Sequence, residues 1–226
     1  MPAKKTKPVG ASKRKIFLVE DHPITREGFA QLLNFNADLI VCGQAGSSRK
    51  AMDGIAASKP DVVVVDISLG DGSGIELIKS IKARFGKLPM LVLSTHDENI
   101  YAERALHAGA LGYVMKQSPT ADVLKAVREV LAGQIYVSDT MRGRILQKMV
   151  SPRSDGAAKG EGLTDRELEV LELIGEGRTT KQIAGQLTLS VSTVETHRAH
   201  LKEKLKLNTA TELVRYAVEW VNRTNR

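Results

Sequence analysis

The chain has 226 residues, 42% of them hydrophobic and 26% charged, an ordinary globular usage that excludes wholesale disorder, collagen and a coiled-coil rod. Its net charge of +7 is concentrated, with six basic groups and no acidic one in residues 1–15, and no apolar run approaches the ~18 residues that span a bilayer. The single cysteine, Cys42, excludes an internal disulfide and a cysteine-based metal site; the start of the chain lacks the apolar segment of a secretory signal, so a cytoplasmic protein without membrane contact is expected.

Residues 1–14 read as a basic disordered tail, a solvated arm. From Lys15 onward short apolar runs alternate with helical periodicity. KIFLV, LIVCG, DVVVV, MLVLS and GYVM are the candidate strands, and PITREGFAQLL, SRKAMDGIAA, GIELIKSIKARF, NIYAERALHA and ADVLKAVREVLA are the helices between and after them. The third run is apolar on both faces, which a strand tolerates when helices cover both sides. An α/β doubly wound, five-stranded parallel sheet follows for residues 15–137, with right-handed crossovers, strand order 2-1-3-4-5 and its site at the carboxyl ends of the strands. Residues 138–162 predict a linker helix, capped by Ser138 and carrying Met141, Ile145, Leu146 and Met149 on one side, and then the flexible hinge SPRSDGAAKGEG. Residues 163–226 predict an all-α domain of four helices.

Glu20 and Asp21 close the first strand, Asp66 the third, Ser94 the fourth and Lys116 the fifth, and in a parallel sheet these positions share one edge. A lone aspartate there is ordinarily a cap or turn residue; the group asks for more. Three carboxylates brought together repel by about 4 kcal/mol per close pair at an effective dielectric near 20, so they need a compensating cation. Oxygen-only ligands suit a hard ion that keeps some waters, Mg2+. A carboxylate beside such an ion can attack phosphorus while the metal and a lysine neutralise the phosphoryl oxygens and a hydroxyl binds another, giving an aspartyl phosphate.

With the motifs EDHP, DISL, GIEL, LVLS and AGALGYVMK, residues 15–132 resemble the flavodoxin-like receiver domain of two-component response regulators. The resemblance implies that Asp66 is the phosphoacceptor and that Glu20, Asp21, Asp66 and the carbonyl of Ile67 hold Mg2+. It also implies that Ser94 and Lys116 contact the phosphoryl group and that Tyr113 is the switch aromatic. Gly70 stands where the family usually has proline, and Gln117 follows the lysine where many receivers have proline.

In the last segment Thr164 with Glu167 and Thr209 with Glu212 have capping-box spacing. Thr180 and Ser190 are expected to cap the two helices between, joined by the short TLS turn as a helix-turn-helix. Leu163 to Gly177 holds five acidic groups against Arg166, whereas Arg178 to Lys206 holds six basic groups against Glu195 and Glu203, so one face is prepared for a polyanion. At helical spacing Val194, Leu201 and Leu205 form a buried stripe. Ser192, Glu195, Thr196 and Ala199 then lie on the face that meets base edges, and Lys181, Arg198, Lys202 and Lys204 are expected on backbone phosphates. His197 and His200 lack zinc spacing. The segment from Leu163 to Leu205 resembles the LuxR-type DNA-binding domain, which with the DHP motif places the chain in the NarL/FixJ class. In that class the last helix dimerises, which here assigns Leu213, Val214, Ala217, Trp220 and Val221; packing on the other three helices is the alternative.

These features together predict a phosphorylation-dependent transcriptional regulator. A histidine kinase or a small phosphodonor loads Asp66, and a homodimer binds double-stranded DNA. No enzymatic activity is expected beyond the receiver's own phosphorylation and dephosphorylation. The competing class is a phosphatase or nucleotide hydrolase on the same fold, against which the strand ends lack a glycine-rich phosphate loop and Ser68 is not a second aspartate. A constitutive DNA-binding protein with an inert receiver is the third reading.

Overall fold

The computed structural model describes residues 12–150 and 162–224. The basic tail up to residue 11 and the hinge at 151–161 lie outside the described residues. In chain order the first domain comprises β1 (Arg14–Val19), α1 (Pro23–Asn34), β2 (Leu39–Ala45), α2 (Ser48–Ser58), β3 (Val62–Val65), the short β4 (Ser68–Leu69) and β5 (Gly72–Ser73), α3 (Gly74–Phe85), β6 (Met90–Ser94), α4 (Glu98–Ala108), β7 (Gly112–Met115) and α5 (Thr120–Leu131). Then follow α6 (Asp139–Val150), α7 (Asp165–Gly175), α8 (Thr180–Gln186), α9 (Val191–Lys204) and α10 (Ala210–Thr224). Arg14, read as tail, opens β1 and pairs with Leu39.

The sheet is parallel with order β2-β1-β3-β6-β7. Since β6 and β7 are its fourth and fifth strands, this is the 2-1-3-4-5 order. The all-valine β3 is completely buried because successive side chains enter different layers. Val63 and Val65 pack with Phe17, Ile78 and Tyr101 on one side, while Val62 and Val64 pack with Leu33, Val127 and Val130 on the other. β4 and β5 pair antiparallel as a hairpin beyond Asp66, and the chain after α5 adds a bridge between Gly112 and Tyr136.

Side-chain caps set the helix starts. Ser47, Ser73 and Asp97 accept N–H groups at the heads of α2, α3 and α4. Ser138 Oγ accepts from Met141 N at 3.1 Å, as the sequence predicts, but on α6 Leu146 faces solvent while Met141 is buried. The Thr164/Glu167 box heads α7 and Ser190 caps α9. The α8 cap is Thr179, in a box with Gln182, one residue before the expected Thr180. The longer reach of Gln182 back to the Thr179 N–H satisfies a second orphan donor, which selects the earlier start. Leu168, Leu171, Ile183, Val194, Leu201 and Trp220 form the core of this domain.

Candidate functional site

The carboxyl ends of β1, β3 and β7 bring Glu20, Asp66 and Lys116 into contact. Lys116 Nζ lies 2.5 Å from Glu20 Oε2 and 2.8 Å from Asp66 Oδ2. Glu20 and Asp66 are buried to 1% and 3% exposure, so the lysine supplies the countercharge that the cluster requires. Burial holds the Asp66 carboxyl above the usual range, with Lys116 acting against it and Glu20 reinforcing it. Lys116 is raised as well: burial opposes its charge, but the Asp66 and Glu20 carboxylates outweigh that.

Asp66 Oδ1 is buried without a hydrogen-bond partner. The remaining donors are oxygens of Asp21 and the Ile67 carbonyl, which accepts the Gly74 N–H at 2.7 Å and keeps a second lone pair. This set fits a hard divalent cation. Both oxygens of Glu20 are engaged, one by Lys116 and the other by the His22 backbone N–H at 3.2 Å. His22 is a residue that sequence reasoning used only as part of a motif. Its Nδ1 stands 3.2 Å from Glu20 Oε1 and 2.8 Å from Asp21 Oδ1, and Glu20, Asp21 and His22 present ligand atoms within 4.8 Å of one another.

Ser94 and Tyr113 are fully buried. Ser94 Oγ accepts the His96 N–H at 3.2 Å and the Tyr113 hydroxyl donates to the His96 carbonyl at 2.7 Å. Burial pushes the Tyr113 phenol well up, so it remains a donor. The pocket opens into a cavity of about 550 Å³ that the second domain roofs: Asp66, Ser68 and Lys116 line one wall, and Glu169 and Glu172 of α7, with Glu176 at its C-cap, line the other.

On α9, Val194 and Leu201 are buried, and Leu205 at its C-cap packs against the same core, while Ser192, Glu195, Thr196 and Ala199 are all exposed. The expected reading face is therefore free in this conformation. Glu195 is oriented by neighbours: Oε1 accepts from Thr180 Oγ1 at 2.8 Å and Oε2 lies 3.8 Å from Arg198 Nε. Lys181 is exposed and Lys202 half-buried. Lys204 is spoken for within the domain, with Nζ 2.7 Å from Glu167 Oε2. On α10 the assigned stripe divides. Leu213, Ala217 and Trp220 are buried in the domain's own core and Val221 is half-buried, so of the five residues only Val214, 41% exposed, is open to a partner, with Val218 one turn on. The correction has a simple cause: in a four-helix domain of this size the last helix must close the core against α7.

A doubly wound sheet with an acidic pocket at its carboxyl edge, joined to a helix-turn-helix unit, defines a response regulator. The family model of the response regulator receiver domain matches residues 16–128, and that of the bacterial regulatory proteins of the luxR family matches residues 161–217. The oxygen regulatory protein NreC of Staphylococcus haemolyticus (strain JCSC1435) is 36% identical over 210 residues, which cover 91% of this chain and 97% of that protein. Among solved structures, a LuxR-family two-component response regulator from Aurantimonas sp. SI85-9A1 is 33% identical with a TM-score of 0.58, covering 62% of this chain and 100% of that one. RcsB from Salmonella enterica serovar Typhimurium, bound to promoter rprA in the presence of the phosphomimetic BeF3-, is 25% identical with a TM-score of 0.61 over 92% of this chain and 99% of that one. The chain belongs to the response regulators with a LuxR-type DNA-binding domain, and its function is phosphorylation-dependent transcription regulation.

Proposed function

We propose that Asp66 is the phosphoacceptor and that its loading controls the binding of a dimer to double-stranded DNA. The observation that carries this reading is the state of the Asp66 carboxylate, buried with Oδ2 on Lys116 and Oδ1 unpartnered at the edge of a cavity. A carboxylate oxygen of Asp66 attacks phosphorus; the bond from phosphorus to the donor breaks and its electron pair leaves with the donor. Lys116 neutralises the phosphoryl oxygens and the Ser94 hydroxyl is within the same strand-end cluster to receive one. Mg2+, held by Asp21, Asp66 and the Ile67 carbonyl with Glu20 behind them, would supply charge neutralisation at the same oxygens.

The donor is a sensor histidine kinase or a small acyl phosphate. Ser192, Glu195, Thr196 and Ala199 read base edges, while Lys181, Arg198 and Lys202 hold phosphates; Lys204 joins them on leaving Glu167. The dimer contact centres on Val214, and the protein works in the cytoplasm. Among the described residues no helix is long and apolar enough to cross a membrane. The domain limits are 15–137 for the receiver, with Arg14 of β1 joined to it, 138–162 for the linker and 163–226 for the DNA-binding domain. Acetyl phosphate with Mg2+ should add one phosphoryl group per chain, measured by intact mass, and Asp66→Asn should abolish it. Labelling that persists in Asp66→Asn would place the acceptor elsewhere.

A further inference from the structure

The early start of α8 releases Thr180 from capping. With Thr179 as the cap, Thr180 is the first residue of the helix, and its hydroxyl reaches across the helix-turn-helix to donate to Glu195 Oε1 at 2.8 Å. Both partners are held in register. The Thr179/Gln182 box fixes the head of α8, Ser190 Oγ accepts the Thr193 N–H at 3.0 Å at the head of α9, and Ile183, Leu187 and Val194 are buried in the core shared by the two helices. Glu195 is therefore a side chain of the α9 face that a second helix aims.

The other three residues of that face have less to offer a base. The Thr196 hydroxyl donates to the Ser192 carbonyl at 3.0 Å, Ser192 Oγ stands 2.7 Å from Ser190 Oγ, and the Ala199 side chain has no polar group. The Glu195 carboxylate can accept at about four lone-pair sites, and Thr180 takes one. Its Oε2 lies 3.8 Å from Arg198 Nε, an ion pair longer than a hydrogen bond. Arg198 thus lowers the cost of bringing a negative charge between two phosphate backbones and leaves Oε2 able to accept.

We propose that Glu195 selects cytosine at one position of the DNA site, and that Thr180 is a positioning residue that holds the carboxylate in its accepting orientation. This rests on the exposed face of α9 being the one that reads bases. An ionised carboxylate accepts and cannot donate, so the major-groove O6 and N7 of guanine and O4 of thymine repel it. Adenine offers its N6 amino group beside the N7 acceptor, which meets the second carboxylate oxygen lone pair to lone pair. Cytosine presents its N4 amino group with no acceptor beside it. A carboxylate that misses this donor keeps its repulsion from the phosphates with nothing to offset it, so Glu195 works by exclusion as much as by attraction.

The test uses the full chain with Mg2+ and beryllium fluoride. It is first used to select from a pool of duplex DNA with randomised positions, and is then titrated against single-base variants of the sequence it enriches. The parent should prefer cytosine at one position by about tenfold or more. Glu195→Gln should abolish that preference and favour adenine, whose N6 and N7 match the amide, while the other positions keep theirs. Thr180→Val keeps the side-chain shape without the hydroxyl and should lower the cytosine preference about threefold or more; Thr180→Ser should restore it. Glu195→Gln is isosteric and carries the test if Thr180→Val fails to fold. A cytosine preference that survives in Glu195→Gln overturns the assignment of Glu195. Equal weakening of all sequences by Thr180→Val, with base preference unchanged, overturns the positioning role. Thr196→Ala separates the proposal from the reading beneath it. A shift of base preference in Thr196→Ala but not in Glu195→Gln overturns the proposal alone. No shift in either, or no sequence enriched by the parent, overturns the reading face of α9 and the proposal with it.

Discussion

Lys116 Nζ stands 2.8 Å from Asp66 Oδ2, and that one ammonium also holds Glu20 at 2.5 Å. Removing one partner of a buried ion pair leaves an uncompensated charge, at a cost of about 3–5 kcal/mol. Lys116→Met should therefore lower the urea midpoint substantially in chelator, with partial recovery on adding Mg2+. A variant as stable as the parent in chelator would mean that burial has already protonated Asp66, and that the lysine is not its countercharge.

Gly74 gives a sharper geometric prediction. A Cβ at this first residue of α3 would lie 2.0 Å from the Asp66 carbonyl oxygen and 2.7 Å from Ile67 Cα, backbone atoms that can yield only by moving the loop. Overpacking of this kind costs about 1–3 kcal/mol or more. Gly74→Ala should lower the melting temperature and slow labelling by acetyl phosphate, because the displaced segment carries both the acceptor and the Ile67 carbonyl. Normal labelling kinetics in a folded Gly74→Ala would show that the loop relaxes without cost.

What the sequence discloses, and what it hides, can be argued from these residues. The valines of β3 announce a strand covered on both faces, and each strand-end residue of the pocket falls at the close of a recognisable apolar run. The two-residue β4 and β5 carry no periodicity, so the hairpin that seats Ser68 is invisible until the chain is folded. His96 and Glu172 are 76 positions apart on segments whose local pattern is satisfied without the contact. The apolar stripe of α10 is plain in the sequence, but a stripe does not tell core from interface: Trp220 and Val214 separate only when α7 is in place.

The reading face of α9 can be tested by contrast. The Thr196 hydroxyl donates to the Ser192 carbonyl at 3.0 Å, so it is engaged within the helix. Thr196→Ala should change preference at one base pair by about 1–3 kcal/mol, while Lys202→Ala should weaken all sequences alike and lower the salt slope by about one unit. Binding titrations on a randomised site at two salt concentrations check both. Uniform losses from both variants would mean that another face enters the groove.

On α10 the two kinds of position should fail differently. Trp220→Ala opens a cavity against α7 and should cost about 3–5 kcal/mol of stability. Val214→Glu, at an exposed position, should leave the melting temperature nearly unchanged and weaken binding to a paired DNA site far more than to a half-site. Equal losses on the two DNAs would move the dimer contact away from this helix.

His96 bonds the two domains into a closed form, with Nδ1 2.7 Å from Glu172 Oε2 and Nε2 2.6 Å from Ser68 Oγ, and this contact should respond to pH. Burial disfavours the imidazolium, but the hydrogen bond and charge of Glu172, with Glu169 and Asp66 adding to them, raise it above its ordinary 6.5. Tyr101, the other titratable group against the ring, stays neutral because burial pushes its phenol well up. The closed form therefore binds the proton more tightly than the open form, in which the ring is freed towards its ordinary value. By linkage, the stabilisation of closure is fully present below about pH 6.5 and is lost as pH rises through the raised value. Between about pH 6 and pH 9 at fixed ionic strength, the distance between domains in the unphosphorylated chain should shift towards the open form. His96→Gln can bond at both ends but does not titrate, so its distance distribution should be flat over that range. Closure that strengthens with pH would identify the neutral ring as the form that binds Glu172, with the carboxyl group of Glu172 then carrying the proton between them.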